Sequence, residues 1–203
     1  MTGPRLTAGL TGGLASGKSF VGKELAKLGC HLIEADQIGH EVLQPGGAAY
    51  DAVLREFGTA DRRKLAAEVF RNPDRLAALN AIVHPAVEQR KQEILASLPE
   101  GIAIYAAAIL IETGTYKNYD CLILAYCTRE QQIERAMDRP GATMEDVLAR
   151  LDRQIPLEEK RKYADYIIDT SGTKQDTMRQ TSELYDRLRD CLLNYFPKRS
   201  AII

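Results

Sequence analysis

The sequence lacks an apolar run long enough to cross a bilayer. Its two longest runs, residues 102–111 and 121–127, fall well short of the roughly 20 residues that a membrane-spanning helix needs. Near the amino terminus, the single Arg5 is followed by only a short apolar stretch, without the longer apolar core of a secretory signal. We therefore expect a protein of the cytoplasm that has no membrane partner.

An excess of charge of one sign is also missing. The chain has 27 Lys and Arg against 28 Asp and Glu, a formal net charge of -1. No overall positive field therefore favours nucleic acid as a partner. The sequence has four cysteines and no CxxC pair: Cys30, Cys121, Cys127 and Cys191. Their spacing predicts buried free thiols rather than a disulfide or a metal site.

Short apolar segments alternate with helical patterns along the 203 residues. Five of these segments lack strict alternation, as do strands that are covered on both faces. They are residues 6–10, 31–33, 102–111, 121–127 and 166–169. Strands that alternate with helices predict an α/β fold with a doubly wound, five-stranded parallel sheet.

Two segments interrupt this alternation. Residues 37–100 contain no strand pattern and predict a helical insertion, in which Pro85 separates helices at 73–82 and 85–98. Residues 138–163 are dense in charge and low in apolar content, which predicts a mobile helical lid. The predicted core of this single unit is then residues 1–36, 101–137 and 164–196.

The strongest motif is the phosphate loop, residues 12–19, with the sequence GGLASGKS. It fits G-x-x-x-x-G-K-[ST] and lies between a strand pattern and a helical pattern, as a P-loop does. Glycines let backbone N–H groups surround phosphate oxygens, Lys18 neutralises their charge, and the Ser19 hydroxyl ligates Mg²⁺. The motif predicts a P-loop NTPase fold that binds ATP and Mg²⁺. The expected ATP contacts are Gly13, Leu14, Ala15, Ser16, Gly17, Lys18, Ser19 and Phe20.

A small-molecule kinase is the favoured class of P-loop protein. The sequence has no N-K-x-D guanine motif, and a mechanical ATPase needs a longer chain. Asp36 follows the second predicted strand, and open parallel sheets bind ligands at the carboxyl ends of their strands. It can accept a proton from an attacking hydroxyl or hold Mg²⁺ through water. The alternative, which is compatible with this role, is that Asp36 caps a helix starting at Gln37.

Several dipeptides, taken together with the phosphate loop, resemble the dephospho-CoA kinase family over about residues 6–175. They are Ala35-Asp36, His40-Glu41, Asp61-Arg62, Leu79-Asn80, His84-Pro85, Glu112-Thr113, Ala164-Asp165 and Ile168-Asp169, with Gln132, Arg135, Arg139, Arg150 and Gln154 recurring singly. The resemblance implies transfer of the ATP γ-phosphate to the ribose 3′-hydroxyl of dephospho-CoA, the last step of coenzyme A biosynthesis. It also implies a helical acceptor-binding domain, here residues 37–100, and a lid, here residues 138–163.

The resemblance also implies roles for single residues. Lys18, Asp36 and Arg139 would be catalytic, with Asp36 as the base and Arg139 clamping the transferring phosphate. Arg135 would join Arg139 at the nucleotide, and Ser19 would be the metal ligand. The acceptor would be bound by Asp36, His40, His84, Glu112 and Arg150. The lid arginines could instead be solvated helix charges, and His84 could be a hydrogen-bonded histidine at a helix entry.

The sequence departs from the family pattern at four places. Ala106 stands where an acid is expected, which would remove a contact to acceptor or Mg²⁺-bound water. Ala15 replaces a glycine, which is tolerable at negative φ, and Phe20 replaces a threonine. Pro140 stiffens the lid entry, and the link between Gly58 and Asp61 is short. Two alternatives therefore stay open: another small-molecule kinase, or a nucleotide-binding module with little catalysis. The expected assembly is a monomer or small homo-oligomer.

Overall fold

A five-stranded sheet forms the centre of the protein in the computed structural model, which describes residues 5–69 and 72–195. The strands are β1 (Arg5–Gly12), β2 (His31–Glu34), β3 (Gly101–Ala106), β4 (Cys121–Tyr126) and β5 (Tyr166–Asp169). Their spatial order is β2-β3-β1-β4-β5. The β1–β3, β1–β4 and β4–β5 pairs are parallel. The predicted α/β fold with a five-stranded parallel sheet is therefore confirmed.

Helices connect the strands. They are α1 (Lys18–Lys27), α2 (Ala35–Glu41), α3 (Tyr50–Phe57), α4 (Arg62–Val69), α5 (Pro73–Ser97), α6 (Arg129–Met137), α7 (Met144–Leu151), α8 (Leu157–Lys160) and α9 (Lys174–Tyr195). Short 3₁₀ turns cover Thr115–Asn118 and Arg161–Tyr163. None of the helices in the described ranges is both long enough and apolar enough to cross a membrane.

Two predicted boundaries were wrong. The apolar run 102–111 is a strand only as far as Ala106. Its remaining residues lead into a turn that buries Leu110 and Ile111 but exposes Ile109, and the Thr113 side chain stabilises this turn by donating to the Ile109 carbonyl at 2.8 Å. The predicted break before Pro85 is absent, since α5 continues through it. The carbonyl that Pro85 leaves without a helical partner belongs to the exposed Ala81, where water can hydrogen-bond it.

The chain divides into two compact units, residues 34–98 and the remainder of the chain. The core of the larger unit joins the sheet to α1 and α9 through fully or almost fully buried side chains, including Leu10, Ile104, Ile123, Val21 and Leu188. In the smaller unit, α2, α3 and α4 pack on α5. The smaller unit covers nearly the residues of the predicted insertion, and the acceptor-binding role assigned to that insertion stays a prediction.

The predicted lid belongs to the larger unit and has an apolar face that the sequence analysis underrated. Val147 and Leu151, one helical turn apart on α7, are buried against Leu14 of the phosphate loop and Ala136 of α6. Buried apolar residues four positions apart form a stripe even in a segment dense in charge. The mobility of residues 138–163 stays a prediction.

All four cysteines are free thiols, as predicted, but only two are buried. Cys30 and Cys127 are buried, Cys121 is partly exposed and Cys191 is exposed. Burial raises the pKa of Cys30 to about 12. Burial also raises the pKa of Cys121 to about 12, with help from the nearby carboxylate of Asp165. The prediction of buried thiols is therefore wrong for Cys191, whose exposure near the end of α9 the cysteine spacing could not show.

Candidate active site

The phosphate loop ends in a geometry that suits an anion. Gly17 is the N-cap of α1 and has a left-handed backbone, with φ 85° and ψ 3°. Lys18 is half-buried at the first position of α1 and makes no hydrogen bond or ion pair with the described residues, and Ser19 is exposed. No acidic residue lies in the first turn of α1. Free N–H groups, the positive end of the helix and an uncompensated lysine together favour phosphate.

Two of the loop glycines are required by packing. A Cβ atom on Gly13 would lie 2.4 Å from Nε2 of Gln132, and one on Gly12 would lie 2.3 Å from Oγ of Ser16. Gln132 and Ser16 are both buried, so neither neighbour can move away freely. The loop therefore passes close to its supporting side chains only because these positions lack a side chain.

Ala15 adopts a strained, left-handed backbone conformation. Its φ is 55°, and it is the one non-glycine residue with positive φ in the described ranges. The left-handed region costs a residue with a Cβ roughly 1–2 kcal/mol. The condition under which alanine would be tolerable there is not met, and the family's glycine would suit this backbone better.

Two glutamines that received no role from sequence hold the peptide groups of Leu14. Nε2 of Gln132, on α6, donates to the Leu14 carbonyl at 2.7 Å. Oε1 of Gln154, which follows α7, accepts from the Leu14 N–H at 2.9 Å. Both had appeared in the family pattern, which was the only signal that could have drawn attention to them. Their amide groups fix the front of the phosphate loop.

Thr170, just past β5, holds the middle of the loop. Its hydroxyl lies 2.8 Å from the Ser16 carbonyl and 3.0 Å from the Tyr126 carbonyl. Arg135 in turn donates to the Thr170 carbonyl at 2.6 Å and to its hydroxyl oxygen at 3.2 Å. The Arg135 guanidinium is thus held by Thr170, the residue that binds the phosphate loop. Its predicted contact with nucleotide stays a prediction.

The predicted lid arginines are both exposed. Arg139 lies two residues beyond the end of α6, and Arg150 lies in the last turn of α7. Neither side chain has a hydrogen-bond or ion-pair partner in the part of the chain that the structure describes. Both cations are therefore available to a ligand, and their roles stay predictions.

Glu112 and Lys160 form a buried ion pair. Nζ of Lys160 lies 2.8 Å from Oε1 of Glu112 and 2.8 Å from the Ala108 carbonyl, and the Lys160 side chain is fully buried. The same Oε1 accepts the backbone N–H of Ile155 at 3.1 Å. Burial lowers the pKa of Lys160, and the hydrogen bond and charge of Glu112 oppose that shift only in part. One oxygen of Glu112 is thus committed within the protein, and its predicted contact with the acceptor stays a prediction.

Asp36 lies in the smaller unit and is not the helix cap that the sequence allowed. Helix α2 starts at Ala35 with Glu34 as its N-cap, so Asp36 is in the first turn. There its negative charge interacts favourably with the positive end of the helix dipole. Its exposed carboxylate has no partner among the described residues. Asp36 lines a cavity of about 300 Å³ whose walls also include Leu43, Asn80 and Val83.

The two predicted acceptor histidines lie on different helices of this unit. His40, on α2, is exposed, with its Nε2 3.2 Å from the Gln44 amide nitrogen. His84 is exposed in the interior of α5, which excludes the alternative of a histidine at a helix entry. The short link between Gly58 and Asp61 is accommodated because Gly58 ends α3 in a left-handed conformation at φ 68°.

Ala106 lies in the apolar core of the larger unit. It is 2 % exposed, pairs with Leu10 on β1 and packs in the cluster that contains Ile104. A carboxylate at this position would lose hydration on entering that cluster. The described residues contain no group of three or more His, Cys, Asp and Glu that could hold a metal. Oxygen atoms of a bound phosphate would therefore have to supply most of the ligands of Mg²⁺ other than water, with the Ser19 hydroxyl beside them.

Comparison with known proteins assigns the chain to a family. The dephospho-CoA kinase family model matches residues 6–176. A dephospho-CoA kinase of Aquifex aeolicus is 39 % identical over 189 residues, which cover 89 % of this chain and 96 % of that protein. A solved Thermus thermophilus structure has a TM-score of 0.80 at 31 % identity and covers 92 % of this chain and 99 % of its own. The dephospho-CoA kinase structure from Campylobacter jejuni has a TM-score of 0.59 at 25 % identity, covering 91 % and 97 %. The chain therefore belongs to the dephospho-CoA kinase family and is an ATP-dependent phosphotransferase.

Proposed function

We propose that the chain transfers the γ-phosphate of ATP to the ribose 3′-hydroxyl of dephospho-CoA through the residues predicted from sequence. The observation that carries the proposal is the phosphate loop, with Lys18 unpaired at the start of α1 and the backbone turned by Gly17. A loop of this kind binds the β- and γ-phosphates of a nucleotide. In this proposal residues 13–20 bind ATP.

Mg²⁺ fits this site as a partner of the nucleotide. Ser19 presents an exposed hydroxyl in the first turn of α1, and Mg²⁺ is commonly held by one or two protein oxygens with phosphate oxygens and water. When bound, the ion neutralises charge on the phosphates. Lys18 adds a second positive charge at the same place, and Arg139 adds a third when it reaches the transferring group.

Asp36 is the proposed base for the acceptor hydroxyl. It is exposed and lines a cavity of about 300 Å³, so a bound nucleoside can reach its carboxylate. Because no partner among the described residues uses that carboxylate, it is free to accept the hydroxyl proton as the oxygen attacks phosphorus in line. His40 and His84, both exposed in the same unit, and Arg150 and Glu112 of the other unit are the further proposed acceptor contacts.

The lid, residues 138–163, is proposed to close over the reacting groups and exclude water, which limits hydrolysis of ATP. Its charged Arg139 and Arg150 then approach the phosphates. We further propose that the protein works in the cytoplasm as a monomer or small homo-oligomer. The net charge of -1 supports a small-molecule acceptor rather than nucleic acid.

The test is a coupled ADP-release assay with Mg²⁺–ATP, run with dephospho-CoA, with adenosine, with AMP and with no acceptor. We expect ADP release that requires dephospho-CoA, with coenzyme A as the product. Release that is independent of the acceptor, or equal with AMP, would contradict the proposed substrate. ATP binding without any turnover would instead support the nucleotide-binding module.

Matched variants separate the proposed roles from general damage. Lys18→Ala should cripple turnover, whereas Lys23→Ala, an exposed lysine on the same helix, should not. Asp36→Asn should abolish transfer and leave ATP binding largely intact. Asp74→Asn changes another exposed aspartate in the first turn of a helix of the same unit, and we expect it to retain activity. Turnover by Asp36→Asn at the wild-type rate would remove Asp36 from the role of base.

A further inference from the structure

The smaller unit contains a second, larger cavity next to the one that Asp36 lines. Its volume is about 620 Å³, and its walls include His40, Gln44, Tyr50 and Gly58. Two side chains, Leu43 and Arg62, line both cavities. The cavities therefore adjoin, and Arg62 supplies the charge at their junction.

Three cations of this unit, Arg75, Arg90 and Lys91, are neutralised by carboxylates of the same unit. Arg75 pairs with Glu56 and Glu68 at 2.7 Å each. Arg90 pairs with Glu41 and Glu93 at 3.3 Å each. By contrast, Arg62 has no hydrogen-bond or ion-pair partner for its guanidinium among residues 5–69 and 72–195.

The acid nearest to Arg62 in sequence does not neutralise it. Asp61 is the one acidic residue that lines the larger cavity. Its Oδ1 accepts the backbone N–H groups of Arg63 and Lys64, each at 3.0 Å. The carboxylate is thus turned to the start of α4, and the junction of the two cavities keeps a positive charge.

The proposed acceptor has a matching order of chemical groups. Dephospho-CoA is a nucleoside, followed at its 5′-oxygen by a diphosphate and then by a long pantetheine arm. With the ribose at Asp36, the diphosphate falls beyond the first cavity and the arm beyond the diphosphate. We propose that Arg62 binds the diphosphate of the acceptor and that the larger cavity takes the arm, an inference that rests on the proposed function.

Arginine suits this position because its planar fork can donate two parallel hydrogen bonds to phosphate oxygens. Lys64 provides a comparison within the same cationic run, residues 62–64. It is exposed and has no hydrogen-bond or ion-pair partner for its side chain in the described ranges, but it lines neither cavity. The geometry therefore assigns the diphosphate to Arg62, which lines both cavities, rather than to the run as a whole.

The test compares Arg62→Gln with Lys64→Gln in steady-state kinetics. Loss of a charge-assisted hydrogen bond to phosphate should raise the KM for dephospho-CoA by about tenfold or more in Arg62→Gln. The KM for ATP should not change, and Lys64→Gln should resemble the wild type. An equal rise in both variants, or no rise in Arg62→Gln, would overturn the assignment.

Direct binding keeps this inference separate from the proposed reaction. Calorimetric titration with dephospho-CoA should show weaker binding by Arg62→Gln, whereas titration with adenosine, which lacks the diphosphate, should show equal binding by both proteins. If the wild type binds dephospho-CoA but forms no coenzyme A, the proposed function fails and the titration still decides the role of Arg62. Equal weakening for adenosine would show that the variant disturbs the cavity, and would also overturn the assignment.

Discussion

Removing the Lys160 ammonium should destabilise the protein more than removing the whole ion pair. Lys160→Met leaves the Glu112 carboxylate, whose side chain is 17 % exposed, without its cation. Taking one partner from a buried pair typically costs about 3–5 kcal/mol, because the remaining charge stays desolvated. Burial outweighs the attraction of Glu112 in the pKa of Lys160, so the pair itself contributes little net stability.

The matched double variant, Lys160→Met with Glu112→Gln, removes both charges and keeps the contacts that matter to the backbone. The Gln carbonyl oxygen can still accept the Ile155 N–H, and the Thr11 hydroxyl, 3.3 Å from the Ala108 carbonyl, can still donate to it. We therefore expect the double variant to lose only about 1 kcal/mol, one typical hydrogen bond. The coupling between the two substitutions should then be about 2 kcal/mol or more.

Urea unfolding followed by circular dichroism measures these differences, since the chain has no tryptophan for fluorescence. The wild type, Lys160→Met, Glu112→Gln and the double variant should be compared. If the free energy of unfolding falls with urea at the same slope in all four proteins, differences in the unfolding midpoint report differences in stability. Loss of less than about 1 kcal/mol in Lys160→Met, or a double variant less stable than Lys160→Met, would refute the reasoning.

The same lysine predicts the direction of a pH effect. Its pKa is lowered in the folded protein, so between that pKa and the ordinary value the unfolded chain binds more protons. The stability contributed by this group therefore rises with pH across that window. The difference in unfolding free energy, wild type minus Lys160→Met, should increase with pH as the ordinary lysine pKa is approached. A decrease would contradict a lowered pKa.

Three further outcomes are expected. Ala15→Gly should raise the unfolding free energy by about 1 kcal/mol in the same urea assay by relieving the positive φ, and a loss of stability would contradict strain at this residue. Gln154→Leu should raise the KM for ATP about fivefold, because the Leu14 N–H loses one hydrogen bond of about 1 kcal/mol; the surface control Gln92→Leu should not. With a chromogenic disulfide at about pH 8, Cys191 should react rapidly in the native protein and the other three thiols only after unfolding; a rapid reaction of Cys30 would oppose its raised pKa.

The sheet and the phosphate loop were predictable because their signals are local. A buried parallel strand is a short apolar run, and the P-loop needs glycines, a lysine and a hydroxyl at fixed spacing in eight residues. The strand prediction failed at Ala107–Ile111 because an apolar run alone does not distinguish a strand from a partly buried turn. The helix prediction failed at Pro85, because loss of one N–H can be tolerated where the freed carbonyl is hydrated.

Long-range contacts were beyond the reach of the sequence. Lys160 stands in the charged run Glu158–Lys162, where every residue has the composition of a solvated surface. Only the fold shows that the Lys160 side chain is fully buried against Glu112, which lies 48 positions earlier in the chain. The positive φ of Ala15 was equally hidden, since alanine rarely adopts it.

The long-range contacts of Gln154, Ile155 and Lys160 lie on one stretch of chain, residues 154–160. Gln154 accepts the Leu14 N–H, the next residue donates its N–H to Glu112, and Lys160 closes the stretch on Glu112 and Ala108. The stretch therefore joins the end of the predicted lid to the phosphate loop and to the turn after β3. Because Gln154 and Ile155 are adjacent, loss of Glu112 would free the backbone beside the glutamine that holds the loop. A substitution at Glu112 can thus reach the phosphate loop through two hydrogen bonds, although it lies far from the loop in sequence.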